Sequence, residues 1–206
     1  MARNRDPFMQ ALSSLRERIQ SGRIAGGSPV IVQDEALSLR LSTTPVREAL
    51  ARLSGEGLVE RAPSGGYVAL RLDATAARDR YAMHAQFVRI ALDLNSRALA
   101  PLRAPAPDID IASTDAAQQL FTGIVRSAGN QVLWEAFLKV SGQLDIMRRL
   151  ELRLFGDRRQ EADALYRAYV AGGDPPFEVL LDLYHDRRIR ASGALAALAE
   201  RGPEQA

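Results

Sequence analysis

Residues 42–53 read Ser-Thr-Thr-Pro-Val-Arg-Glu-Ala-Leu-Ala-Arg-Leu, and they carry the clearest structural signal in the N-terminal third of the chain. Thr44 is suited to cap a helix, and Pro45 to occupy its first position, where the missing N–H costs nothing. Helical spacing places three apolar side chains on one stripe: Val46, Leu50 and Leu53. The opposite strip holds Thr44, Arg47 and Ala51. The stretch therefore predicts an amphipathic helix with one buried face and one polar, exposed face.

The residues before this helix predict two more helices. Asp6 and Pro7 form a helix start signal, and Gly22 forms a stop signal. Between them, apolar side chains recur at helical spacing: Phe8, Leu12, Leu15 and Ile19. A turn is expected at residues 26–29, and a short helix is expected over residues 34–39.

The residues after this helix predict a β-hairpin. Gly55 and Gly57 end the helix, and residues 58–61 and 67–70 have the composition of short strands. Residues 63–66 (Pro-Ser-Gly-Gly) form the turn between them. Three helices followed by a hairpin make a winged helix-turn-helix, which we assign to residues 1–72.

A winged helix-turn-helix of this kind is suited to bind DNA. The N-terminal end of the third helix meets base edges in the major groove of helix-turn-helix complexes. Arg47 can donate two hydrogen bonds to guanine, Thr44 can contact a phosphate or a base, and Gly65 and Gly66 allow a close backbone approach. One alternative stays open at this point. The domain could be a protein-interaction module in which Arg47 pairs with a neighbouring acid.

The remaining residues, 73–206, carry mostly helical patterns. Helices are expected over residues 75–100, 115–128, 131–155, 160–171 and 176–201. Prolines break the pattern within residues 101–110, and glycines break it again at residues 129 and 172–173. The predicted fold class is therefore mainly α: a winged helix-turn-helix followed by an all-α antiparallel helical bundle.

Composition excludes several classes of function. Among the 206 residues there is no Cys, which excludes disulfides, thiolate metal sites and cysteine nucleophiles. No apolar run is long enough for a membrane span or a signal-peptide core, so we expect a cytoplasmic protein without a membrane partner. No nucleophile elbow, P-loop or dinucleotide fingerprint occurs, and we expect no enzyme. Residues 1–72 carry ten arginines against seven acidic residues, a balance compatible with nucleic acid.

Four segments resemble the DNA-binding domain of GntR-type bacterial transcription regulators: residues 15–19, 42–53, 57–59 and 66–68. The resemblance covers about residues 8–71. It implies that DNA is contacted by the following residues: Arg40, Ser42, Thr43, Thr44, Arg47, Ala51, Gly65 and Gly66. The family usually has Arg where Thr43 stands and Gly where Arg40 stands. Thr43 puts one base contact in question, and Arg40 is a candidate replacement contact to phosphate.

Residues 121–133 resemble the effector-binding and dimerising domain of the FadR-type (FCD) branch of that family, and the short length favours its VanR-like subgroup. The resemblance implies a homodimer on a double-stranded, palindrome-like operator. It also implies a small-molecule effector, most often an organic acid, that releases a repressor from DNA.

Many relatives of that branch hold a divalent metal through one Asp and three His, and this set is mostly lost here. Their Asp-x-x-Phe-His motif is replaced by Gln-Gln-Leu-Phe-Thr at residues 118–122. Asp163 and His185 are the weak candidates that stay, so we expect no metal or other cofactor. The polar lining of an effector pocket is expected to comprise His84, Gln118, Thr122, Asn130, Asp163 and His185. Arg148 and Arg149 are candidates to bind an effector carboxylate.

Three alternatives stay open for the C-terminal region. It could dimerise a DNA-binding protein without sensing a ligand. It could sense a metal despite the lost positions. In the third, the chain is a helical-bundle interaction protein without a role on DNA.

Overall fold

Helices dominate the computed structural model, which describes residues 6–63, 65–97, 106–172 and 174–201. The elements in chain order are α1 (Pro7–Gln20), β1 (Pro29–Val30), α2 (Val32–Leu39), α3 (Thr43–Gly55), β2 (Val59–Arg61), β3 (Tyr67–Ala69), α4 (Ala74–Arg97), α5 (Ala116–Ser127), α6 (Gln131–Glu151), α7 (Arg158–Ala171) and α8 (Phe177–Arg201). The mainly α fold class predicted from the sequence is confirmed.

The chain divides into two compact units. The first comprises the chain up to Asp73, together with Gly142–Leu150 and the chain from Ala194 onward. The second comprises Ala74–Ser141 and Glu151–Gly193. In the part of the chain that the structure describes, no helix is both long and apolar enough to span a membrane.

The first unit is built around the helices of the winged helix-turn-helix. α1 begins at Asp6, whose carboxylate accepts a hydrogen bond from the Phe8 N–H at 3.0 Å. The apolar faces of α1 and α3 are buried together as predicted: Leu12, Leu15, Ile19, Val46, Leu50 and Leu53. This core fixes the direction in which the opposite face of α3 points.

The hairpin is part of a three-stranded antiparallel sheet, in the order β1-β3-β2. Val30 and Arg61 both pair with Tyr67, one from each side of β3. The sequence predicted only two of these three strands and missed β1. Two residues are too few to show the alternation of apolar and polar side chains from which strands are recognised.

Several helix ends differ from the sequence prediction. α2 begins at Val32 rather than at residue 34, and α3 begins at Thr43, so that Ser42 rather than Thr44 is its N-cap. Pro45 is therefore the third helical residue. It is tolerated there because the first four N–H groups of a helix have no partner within it.

α6 ends at Glu151 rather than at residue 155. The Glu151 carbonyl accepts hydrogen bonds from the N–H groups of Leu154 and Phe155 in the turn that follows, and Phe155 is buried. The predicted helix over residues 75–100 is described only to Arg97, and residues 101–105 of the predicted proline-rich break lie outside the described residues.

The second unit packs its helices around one apolar cluster, whose fully buried members include Val88, Leu120, Phe121, Ile124, Phe137 and Leu181. Gly123 of α5 allows a close approach. A Cβ atom at this position would lie 2.4 Å from the ring of Pro107.

Candidate DNA-binding surface and polar interior of the helical unit

The outer face of α3 carries the exposed strip that the sequence predicts. Thr44, Arg47 and Ala51 are exposed, whereas Val46 and Leu50 on the opposite face are inaccessible to solvent. The strip begins in the first turn of the helix. At that end the unpaired N–H groups and the helix dipole attract anions.

A concavity of about 760 Å³ lies between the outer face of α3 and the sheet. Its walls are formed by residues of α2, α3 and the hairpin: Val32, Gln33, Arg47, Glu48, Ala51, Arg61, Ala62, Pro63, Gly65, Gly66 and Tyr67. Arg47 and Arg61 stand on different walls, and Glu48 adds one negative charge. The surface is therefore concave and carries cationic side chains on both of its sides.

Most arginines of the winged helix-turn-helix are neutralised by acids, and those near the concavity are not. Five of them form ion pairs within the first unit: Arg16 and Arg52 with Glu56, Arg18 with Glu35, Arg23 with Glu17, and Arg71 with Glu200. Within the described residues, three others in this segment form no ion pair: Arg40, Arg47 and Arg61. Their charges are available to a ligand.

The predicted DNA-contacting residues lie in two adjoining places. Arg47, Ala51, Gly65 and Gly66 line the concavity. Arg40, Ser42, Thr43 and Thr44 lie at the turn into α3 and in its first turn. The two glycines have φ angles of 90° and 84°, which side chains rarely adopt. Arg40 has a φ of 56°, in the left-handed region, where relatives in the resembled family usually carry glycine.

The sequence did not single out Arg61, Gln33 and Tyr67, which also line the concavity. Gln33 lies in α2 and Tyr67 in β3, and the sequence indicated no contact or ligand for either side chain. Arg61 ends the first of the two predicted strands, and alternation along its four residues was too short to show which face Arg61 would take.

The second unit buries two of the predicted pocket residues against each other. Leu181 offers a carbonyl that can only accept, so Nδ1 of His185 donates to it at 2.8 Å. In neutral His185, Nε2 is then an acceptor, and His84 Nδ1 donates to it at 2.9 Å. The same logic makes Nε2 of neutral His84 an acceptor. The two rings lie among aromatic side chains, with His84 centred 4.9 Å from Phe137 and His185 5.1 Å from Tyr184.

Burial lowers the pKa of His185 to about 4. Desolvation is the main cause, the hydrogen bond to the Leu181 carbonyl opposes it, and the positive charges of Arg188 and Arg89 add to the lowering. His185 is therefore neutral at physiological pH, which is consistent with the hydrogen-bonding pattern of the pair.

Gln118 and Thr122 form a second polar group. The Gln118 amide donates to the Thr122 hydroxyl at 3.1 Å and to the Ser141 hydroxyl at 2.6 Å. Ser141 was not predicted to take part. Gln118 lies in α5 and Ser141 in α6, so no spacing within one helix indicates the contact between them.

Two of the residues predicted to line the pocket contact other groups. Asn130 is exposed, and its side-chain oxygen accepts the Leu133 N–H at 3.0 Å, so it caps the start of α6. Asp163 pairs with Arg167 on α7 and lines a surface depression with Ile111, Arg159 and Gln160. The family resemblance had suggested a common pocket, but these two side chains contact groups near the surface instead.

Other ligand candidates are also placed by the structure. Arg148 is buried and binds Asp145 at 2.5 Å within the first unit, and Arg149 is exposed. Across the described ranges, no group of three or more His, Asp or Glu side chains is arranged to hold a metal ion.

A buried ionic cluster in the second unit was not predicted. Arg188 and Glu151 are inaccessible to solvent and contact each other at 3.0 Å. Arg188 also binds Glu161 at 2.9 Å, and the Tyr81 hydroxyl donates to Glu151 at 2.7 Å. Burial alone would lower the pKa of Arg188, but electrostatic interactions with Tyr184, Glu151 and Glu161 outweigh it and raise the pKa. The Tyr184 ring is centred 3.3 Å from the guanidinium carbon. The cluster joins side chains from α4, α6, α7 and α8.

Comparisons with known proteins agree with the winged helix-turn-helix. Residues 9–68 match the model of the gntR family of bacterial regulatory proteins. A relative from Streptomyces ambofaciens, described as an uncharacterized HTH-type transcriptional regulator in an unstable DNA locus, is 30% identical over 154 residues. The match covers 67% of this chain and 63% of the relative, so the chain spans less than two thirds of that protein's length.

Two solved structures share the fold at low sequence identity. E. coli McbR/YncC is 15% identical with a TM-score of 0.64, covering 95% of this chain and 99% of that one. A putative transcriptional regulator GntR from Rhodococcus sp. RHA1 is 16% identical with a TM-score of 0.67, covering 90% and 96%. The fold likeness extends over the helical region as well as the N-terminal domain. The match to the family model identifies residues 9–68 as a winged helix-turn-helix domain of the gntR family of bacterial regulatory proteins.

Proposed function

We propose that this protein is a homodimeric transcriptional regulator that binds double-stranded DNA in a sequence-specific manner. The observation that carries the proposal is the concavity beside α3, where Arg47 and Arg61 have no carboxylate partner among the described residues. Five other arginines of the domain are paired with acids, whereas these two cations are left accessible on one concave surface. A surface that meets phosphates keeps them available.

The geometry supports a division of work on the duplex. α3 enters the major groove with its N-terminal turn, where Arg47 donates two hydrogen bonds to guanine and Thr44 contacts a base or phosphate. Gly65 and Gly66 bring the hairpin tip close to the DNA backbone. Two copies related by a two-fold axis bind a palindrome-like operator, because its symmetry matches that of the dimer.

Selection of random duplexes tests this proposal directly. The purified protein is mixed with a random DNA library at two salt concentrations, and the bound fraction is sequenced. We expect a palindromic motif that survives at the higher salt, together with a dimeric mass in sedimentation. Binding that disappears with salt and leaves no motif, with and without a pool of metabolites, would contradict sequence-specific regulation.

Arg47→Ala is expected to weaken binding to the selected motif by about 1–3 kcal/mol and to relax the preference at one position of each half-site. Arg52→Ala is the matched control. It removes the same charge from the same helix, but at an exposed side chain paired with Glu56. Titrations by fluorescence anisotropy measure both variants. Equal losses in the two would show that Arg47 acts only through its charge.

We further propose that the helical region binds a small organic acid and that binding releases a repressor from DNA. The support is two groups of polar side chains in the second unit: the pair His84 and His185, and the group of Gln118, Thr122 and Ser141. A ligand shifts the protein only if its affinity differs between two conformations. The effector must therefore bind the released form more tightly than the DNA-bound form.

A panel of small organic acids tests this second proposal. We expect at least one acid to raise the melting temperature and to lower the affinity for the selected DNA. Gln118→Leu is expected to abolish both effects, whereas Arg167→Gln, a change in an exposed ion pair, is expected to keep them. The competing function is dimerisation without sensing, and it would be supported if no acid changed either quantity.

A further inference from the structure

We propose that Arg61, at the end of β2, is a DNA phosphate contact held in position by the ring of Tyr67. This inference rests on the proposed function and adds a residue on the sheet side of the concavity. The duplex backbone would then be bound from two sides, by the N-terminal part of α3 and by a strand of the hairpin.

The sheet fixes where the Arg61 side chain stands. Arg61 pairs directly with Tyr67 on β3, and its guanidinium carbon lies 5.9 Å from the centre of the tyrosine ring. Tyr67 is half-buried and packs against the apolar core of the winged helix-turn-helix. A cation beside an anchored aromatic face has fewer conformations to lose when it binds a ligand. Arg61 is thus partly ordered before the DNA arrives.

The charge pattern indicates what Arg61 is available to bind. In the part of this domain that the structure describes, five arginines are ion-paired and Arg40, Arg47 and Arg61 are not. Arg40 and Arg47 belong to the stretch that leads into or forms α3. Arg61 is the sheet's counterpart, exposed on the concavity that Arg47 also lines. A cation without an internal partner binds an anion without first breaking an ion pair.

Position favours a phosphate over a base as its ligand. Bases are reached by side chains of a helix that lies in the major groove, as proposed for Arg47. Arg61 stands on the wall of the concavity rather than on the helix or at the glycine tip of the hairpin. A side chain there faces the sugar–phosphate backbone, which carries no sequence information.

Salt titration of DNA binding tests the assignment. Wild type, Arg61→Gln, Arg61→Lys and the control Arg23→Gln are titrated on the selected duplex and on a scrambled duplex at several salt concentrations. Arg23 is exposed and ion-paired with Glu17, so the control loses one charge outside the concavity. For Arg61→Gln, we expect the slope of log K against log salt to fall by about one per protomer. The affinity per protomer at 0.1 M salt falls about eightfold.

The loss in Arg61→Gln is expected to be the same on both duplexes, and Arg61→Lys is expected to keep the salt slope because it keeps the charge. An unchanged slope in Arg61→Gln, or a loss equal to that of Arg23→Gln, would overturn the assignment. So would a loss confined to the selected duplex, since that indicates a base contact. If wild type itself binds neither duplex, the proposed function fails. If wild type binds the selected duplex and Arg47→Ala weakens that binding, the proposed function holds, and the results for Arg61 test only the phosphate contact.

Discussion

Arginines in the two units have opposite surroundings. In the winged helix-turn-helix, Arg40, Arg47 and Arg61 are exposed and have no acidic partner within the described residues. In the helical unit, Arg188 is fully buried between Glu151 and Glu161 and stacks on Tyr184. The first set is available to a ligand from outside, and the second is already satisfied from within.

The difference follows from the cost of removing a charge from water. A buried ion loses several kcal/mol of hydration and is stable only with close, hydrogen-bonded partners. An exposed arginine keeps its hydration, so leaving it without a partner costs little. Free arginines can therefore collect on a binding surface, whereas a buried arginine must become part of the fold.

The largest effect is expected from breaking the buried cluster. Arg188→Met leaves Glu151 buried without its nearest cation, and we expect the free energy of unfolding to fall by about 3–5 kcal/mol. Urea denaturation followed by circular dichroism measures it. Arg167→Met, in the exposed pair with Asp163, is the matched control and should cost less than about 1 kcal/mol.

A double variant sharpens this test. Glu151→Leu combined with Arg188→Met removes both buried charges and should recover part of the lost stability. If the single variant were no less stable than the surface control, Arg188 would not be a charge held by the fold, and the contrast between the units would not stand.

A smaller effect is expected from acidification. His185 has a pKa of about 4 in the folded protein against an ordinary value of 6.5, so only the unfolded chain binds the proton between these values. Its contribution to stability is complete above pH 6.5 and is lost as the pH falls towards 4. We expect about 2 kcal/mol less stability at pH 5 than at pH 7 from this group.

The variant His185→Gln isolates that contribution. Groups facing His185 include His84 from α4, Arg188 from α8, and the Arg89–Asp182 pair. Other groups titrate in both proteins, so the quantity to compare is the change between pH 7 and pH 5 in each. An identical change in wild type and His185→Gln would show that His185 does not resist protonation.

The sequence predicted the exposed strip of α3 better than the contacts inside the helical unit, for a physical reason. The strip on α3 follows from 3.6-residue periodicity and its anchoring core, which are local properties. Arg61 was missed because its position depends on pairing with Tyr67 across a sheet. The family resemblance supplied Arg40, and the composition of the turn at residues 63–66 supplied the two glycines of the hairpin tip. Helical periodicity indicates neither.

Contacts in the helical unit depend on how separate helices are rotated against each other. Asn130 and Asp163 were grouped with the histidines through the family resemblance, yet one caps a helix and the other pairs on the surface. Glu151 and Arg188 resemble ordinary surface charges in the sequence. Only packing brings them 3.0 Å apart without access to water.

The smallest effect concerns Arg40, an exposed arginine whose backbone is strained. Arg40 has a φ of 56° at the end of α2, a conformation that costs a side-chain-bearing residue about 1 kcal/mol and costs glycine little. Arg40→Gly and Arg40→Ala remove the same charge, but only glycine relieves the strain. We expect Arg40→Gly to be about 1 kcal/mol more stable than Arg40→Ala in urea denaturation.

Measurements of DNA binding distinguish the contribution of the Arg40 guanidinium from that of the backbone conformation at this position. If the guanidinium contacts a phosphate, both variants should lose the same affinity and the same salt dependence, although their stabilities differ. A loss found only in Arg40→Gly would assign the effect to a loosened turn before α3. Wild-type affinity in both variants would show that an unpaired arginine at this surface is not by itself a DNA contact. The assignment of Arg61 would then depend on the salt titration of Arg61→Gln alone.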